Sequence, residues 1–134
     1  MNFLLINYEY PPIGAGAATA TYHIAKEIVK AGNSVTVLTS QYRDKKGAEE
    51  ENGINVIRCR SLRKNAEQSN IAEMLCFLLS ASLSLPSVVK RHKIESAIVF
   101  FSFPCGPLGL LCRTFFQIPY VVSLRGGDVP GAEQ

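Results

Sequence analysis

With 134 residues, 47% of them apolar, and a net charge of +3, the chain is long enough for one domain with a substantial buried core. The charge is modest and no like-charged block is long enough for a nucleic-acid arm, so nucleic-acid binding is set aside. Cys59, Cys76, Cys105 and Cys112 form no CxxC pair and no metal-site spacing, so the expectation is four reduced thiols with neither metal nor cofactor.

Phe3, Leu4, Leu5 and Ile6 form a continuous apolar run, which suits a strand buried on both faces of a parallel sheet. Neither a basic segment before this run nor a small-residue cleavage pattern after it marks a secretory signal, so a cytoplasmic domain is expected. Pro11 and Pro12 stop the strand, because proline has no N–H for a ladder. Ala20, Ile24, Ala25 and Ile28 then recur at helical spacing with Lys26, Glu27 and Lys30 opposite, and Gly32 stands at the helix stop.

Between strand and helix lies Ile13-Gly-Ala-Gly-Ala-Ala. Its small residues let a ligand approach the backbone, and the N–H groups opening the helix suit a phosphate or carboxylate. A plain connection that binds nothing is the alternative. The loop lies at the carboxyl end of a parallel strand, where ligands sit in such folds, and this favours the anion reading. Gly14, Gly16 and Thr19 have the spacing of a dinucleotide fingerprint, but Thr19 replaces the last glycine and the acidic partner expected about 20 residues on falls near Thr39 and Ser40. A nicotinamide cofactor is therefore disfavoured.

Ser34 to Ser40 reads as a second strand that closes a right-handed strand-helix-strand unit. Gln41 to Gly53 reads as a charged, solvated loop, and Asn52-Gly53 turns the chain into a third strand from Ile54. For Arg58, Arg60, Arg63 and Lys64, solubility is preferred over contact with an anionic surface. Ile71 to Val89 reaches the minimum length of about 18 residues for a membrane span. It carries Glu73, several serines and Pro86, so a helix packed on the sheet or half embedded in a partner is preferred. Lys90, Arg91, His92 and Lys93 follow where cations complement the helix dipole, which makes His92 a cap rather than a catalyst.

Ala97 to Phe101 is another buried strand, Ser102 to Pro107 a turn at its end, and Leu108 to Phe115 a short helix. Ile118 to Leu124 reads as a fifth strand, followed by Arg125-Gly-Gly-Asp. Cys105 is better read as a turn-lining thiol than as a nucleophile, since no histidine is placed by sequence to activate it. The alternation predicts an α/β, Rossmann-like open parallel sheet of about five strands in order 3-2-1-4-5, with helices on both faces. Its pocket would be lined by Tyr8 to Gly16, Ser102 to Gly106 and Arg125 to Asp128.

Three separated segments, NYEYPPIGAGAATATYHIAKEIVKAGNSVTVLTS, FFSFPCGPLGLL and VVSLRGGDVPG, resemble the N-terminal half of glycosyltransferase family 4, retaining enzymes of the GT-B fold. The resemblance implies that residues 1–134 are one Rossmann-like, acceptor-side domain, truncated and lacking the C-terminal donor domain of the intact enzyme. It implies a nucleotide-diphosphate sugar and an acceptor glycan, lipid or small molecule as partners. Gly14, Ala15, Gly16 and Ala17 would touch the donor diphosphate, with Tyr10, Cys105, Gly106, Gly126 and Asp128 also in the substrate site. Many members carry a histidine at the place of Arg125, which the resemblance implies is the catalytic position. An arginine is no base near neutral pH, but it clamps phosphate oxygens bidentately. A non-catalytic binding module using the same loops is the alternative function. Self-association, with the Ile71 to Val89 helix as its main contributor, and contact with the inner membrane face are further expectations.

Overall fold

The computed structural model describes residues 1–8, 16–40, 47–51, 53–59, 71–100 and 106–123. In chain order these form β1 (Asn2–Ile6), α1 (Gly16–Lys30), β2 (Ser34–Ser40), β3 (Gly47–Glu51), β4 (Ile54–Cys59), α2 (Ile71–His92), β5 (Ser96–Phe100), α3 (Gly106–Phe116) and β6 (Tyr120–Ser123). One sheet holds the strands in the order β3-β4-β2-β1-β5-β6. The pairs β4-β2, β2-β1, β1-β5 and β5-β6 are parallel, so the five strands read from the sequence take the expected order.

The apolar run of β1 is explained by its place between two layers. Leu4 and Ile6 join the core under α2 and α3, together with Phe77, Ala81, Leu85, Leu108 and Cys112. Leu5 faces the other way, into a second core with Ala25 of α1, Val35, Val37, Ile54 and Val56. Leu4, Leu5 and Ile6 are all fully buried. A strand enclosed on both sides has no face on which alternation could appear.

Helix ends follow the usual chemistry. Gly32 (φ 92°) closes α1, with Gly32 N–H donating to Val29 O at 3.0 Å and Asn33 N–H to Ile28 O at 3.2 Å, the Schellman pattern. Lys93 (φ 50°) takes the same place after α2, where Ile94 N–H donates to Val89 O at 3.2 Å. Gly109 lets α3 lie close on the sheet: a Cβ there would stand 2.5 Å from Tyr120 Cδ2 and 2.9 Å from Val99 Cγ2.

Two expectations are corrected. The charged loop contains strand β3, which pairs antiparallel with β4 from Gly47↔Arg58 to Glu51↔Ile54. Arg58, read as part of a solvated cluster, is only 4% exposed and donates from Nη1 to Ser40 O at 3.3 Å. It continues the inward face of Ile54 and Val56, so the strand's own alternation carries it inside.

Candidate functional site

The carboxyl ends of β1, β2 and β4 are joined by one further backbone bond of the β1–β2 ladder and then by polar side chains. Asn7 N–H donates to Leu38 O at 3.1 Å. Its side-chain Nδ2 donates to Thr21 Oγ1 of α1 at 2.6 Å, with both residues fully buried. One residue on, Tyr8 O accepts from Ser40 Oγ at 2.8 Å and from Thr39 Oγ1 at 3.3 Å, while its ring lies 5.1 Å from that of Phe77. Arg58 then reaches Ser40 O from the next strand. Buried polar groups persist only when bonded, and here the bonds fix both ends of the glycine-bearing stretch, Tyr8 before it and α1 after it.

The topology supplies the crevice. From β1 the chain crosses to β2 through α1 on one face, and from β5 to β6 through α3 on the other. Neighbouring β1 and β5 thus flank a switch point, the usual ligand position in open α/β sheets. The three stretches expected to line a pocket leave from Tyr8, Phe100 and Ser123, at the ends of β1, β5 and β6, which follow one another in the sheet. Gly16 and Gly106 are the first residues of α1 and α3, and Ala17 is in the first turn of α1. Helix first turns carry N–H groups without intrahelical partners. Tyr10, Gly14, Ala15, Cys105, Arg125, Gly126 and Asp128 lie outside the described residues.

Burial shifts Cys59, Cys112 and His92 among the described residues. Burial pushes the Cys112 thiol up to about 11. It does the same for Cys59, also to about 11, against the lowering effect of a hydrogen bond with Ser84. Neither is a nucleophile at neutral pH. His92, at the end of α2, has its pKa lowered by burial and then by Arg91, the opposite of what a dipole cap would do. With Arg91, Glu50 and Asn55 it lines a shallow cleft of about 250 Å³ against the β3–β4 hairpin. No group of three or more metal-ligating side chains exists among the described residues.

Sequence reading missed Asn7, Thr21 and Arg58. Asn7 directly follows an apolar strand and precedes a glycine loop, a position where a buried amide commonly anchors the turn. Arg58 shares its parity with Ile54 and Val56.

Five parallel strands wound in two directions from a switch point between β1 and β5 define a Rossmann-like domain. The chain belongs to the glycosyl transferase 4-like domain family, whose model matches residues 15–134. Sucrose-phosphate synthase from Thermosynechococcus elongatus superposes with a TM-score of 0.71 at 13% identity, over 90% of this chain and 32% of that one. MurG of Acinetobacter baumannii superposes with a TM-score of 0.58 at 19% identity, over 92% of this chain and 34% of that one. The chain therefore spans about a third of either structure. Comparison with curated protein sequences gives no match.

Proposed function

We propose that this chain is the acceptor-side domain of a retaining glycosyltransferase that moves a sugar from a nucleotide-diphosphate donor to an acceptor hydroxyl. The observation that carries the reading is the family match over residues 15–134, on a sheet where α1 and α3 begin at the carboxyl edge beside the β1–β5 switch point. In the proposed step the bond from the sugar's anomeric carbon to the diphosphate breaks and its electron pair leaves with the diphosphate. The acceptor oxygen bonds that carbon on the same face, and its proton departs with the leaving group. Charge develops on the diphosphate, so N–H groups at the start of α1 and the Arg125 guanidinium are the stabilising elements on this side. The nucleotide and the rest of the sugar would be held by a second α/β domain, consistent with the third of each matched structure that this chain spans.

The test compares the 134-residue chain alone with the same chain joined to a second α/β domain, each given a panel of nucleotide sugars and acceptors. Transfer by the joined protein only, with the anomeric configuration retained by NMR, is the expected result. Turnover by the chain alone would overturn the split site, and no transfer by a folded two-domain protein would overturn the transferase. Arg125→Ala is expected to weaken nucleotide-diphosphate affinity in the joined protein by roughly tenfold or more, the equivalent of one charged hydrogen bond, without a change in melting temperature. Unchanged affinity with lost thermal stability would show that Arg125 braces its own loop through Asp128 instead.

A further inference from the structure

The amino edge of the sheet carries a second concave site. Ile57 of β4 packs against the core beneath α2, and strand alternation turns Asn55 to the same face. Across the β3–β4 ladder Ala48 stands opposite Ile57 and Glu50 opposite Asn55, so these four side chains share one face. Arg91 and His92, in the last turn of α2, complete a cleft of about 250 Å³ over them. Because α2 runs back against the parallel strands, this end of it lies at the edge opposite the β1–β5 crevice.

Charge in this cleft is of both signs and kept apart. Arg91 supplies a cation and Glu50 a carboxylate, both exposed, yet among the described residues the one ion pair is Lys30 with Glu27, on α1. The Asn55 and His92 side chains make no hydrogen bond across the cleft either. His92 is neutral at pH 7, lowered from 6.5 by burial and then by Arg91. Lys90 and Lys93 stand next to Arg91 and His92 in the chain and strengthen the positive side. The nearby Glu95 is engaged elsewhere, accepting from Asn2 N–H at 2.8 Å.

We propose that this cleft binds a small zwitterion, a free α-amino acid, with its carboxylate on Arg91 and His92 and its ammonium group on Glu50. Volume sets the size: the cleft falls below the roughly 300 Å³ at which pockets for larger ligands begin, so the ligand is compact, and Ala48 and Ile57 offer its side chain an apolar wall. Charge sets the class. A fixed cation and a fixed carboxylate on opposite walls, with a neutral imidazole between them in the titration order, match a molecule that is neutral overall and carries separated charges of its own. A compact dianion such as phosphate would face Glu50, and a lone cation would face Arg91. The Asn55 amide, which both donates and accepts, serves either end of the zwitterion.

The full chain is titrated with L-alanine while the ring protons of its two histidines are followed by NMR. His23, exposed on α1 on the other side of the sheet, is the internal control, and His92→Gln assigns the signals. A saturable shift of the His92 signal alone is expected, with the His92 pKa moving up on saturation, because a carboxylate beside the ring favours the imidazolium. Acetate and ethylammonium, the two halves of the ligand, and inorganic phosphate should each bind at least about fivefold more weakly, and Arg91→Gln and Glu50→Gln should each weaken L-alanine binding about fivefold. Both side chains are exposed, so these variants keep the parent's melting temperature and a loss of binding is not a loss of fold. No saturable shift, an equal shift of both histidines, acetate or phosphate binding as tightly as L-alanine, or an affinity that survives Glu50→Gln overturns the proposal.

Discussion

The tie between Asn7 and Thr21 is the sharpest test of how this fold holds its glycine loop. Asn7 Nδ2 donates to Thr21 Oγ1 at 2.6 Å, and neither residue is exposed. Both also take part in further interactions, so a single substitution reports more than this bond. Asn7→Ala removes a donor and leaves a small void; Thr21→Val keeps the shape and removes the acceptor. Each is expected to cost about 1–3 kcal/mol, the penalty for a buried polar group that loses its partner. The double variant should cost less than the sum by about 1 kcal/mol, which is the bond itself. Urea unfolding measures all four proteins, with an unchanged slope as the check that the denatured state is the same. Strict additivity, within about 0.3 kcal/mol, would refute the claim that the bond links β1 to α1 energetically.

Gly109→Val should lower stability by about 1–3 kcal/mol through overpacking, since even an added Cβ would stand 2.5 Å from the Tyr120 ring; an unchanged urea midpoint would refute the close approach. Cys59 and Cys112, each raised from 9.0 to about 11, hold their protons more tightly folded than unfolded. Their contribution is thus fully present below pH 9 and lost as pH rises through 11, at about 2–3 kcal/mol per thiol. Urea midpoints across that window should fall less steeply in the Cys59→Ala/Cys112→Ala double variant, and at neutral pH iodoacetamide should modify neither thiol in the folded chain. His92, lowered by burial and Arg91, works in the other direction: it costs stability as pH falls below its ordinary 6.5, so His92→Gln should flatten the acid side of the profile.

The sheet was legible because its parallel strands are written as unbroken apolar runs. Leu4, Leu5 and Ile6 have no solvent face, and alternation with helices leaves few topologies. Strand β3 was not legible. Gly47-Ala-Glu-Glu-Glu has no strand propensity of its own and is held by pairing with β4, a tertiary effect that local composition does not carry. Asn52-Gly53 did announce the turn, and Gly53 has φ 81°, yet a turn alone does not say whether the strand before it exists. At the site, glycines and prolines marked where the chain leaves the sheet. The anchors, Asn7, Thr21 and Arg58, are ordinary residue types whose role depends on which strand lies next door.

The central position of β1 has a consequence for synthesis. One edge pairs with β2, close behind it in sequence, but the other waits for β5, and the bonded pair Asn2 and Glu95 is 93 residues apart. At the usual elongation rate of about 5–20 residues per second, the most apolar strand leaves the ribosome on the order of ten seconds before its second neighbour exists. The half-sheet of β1, β2 and β4 with α1 can assemble meanwhile, presenting an open apolar edge on one side. A nascent chain paused ahead of Ser96 is therefore the form most exposed to aggregation, and the tempo of translation through α2 becomes part of how the protein reaches its fold.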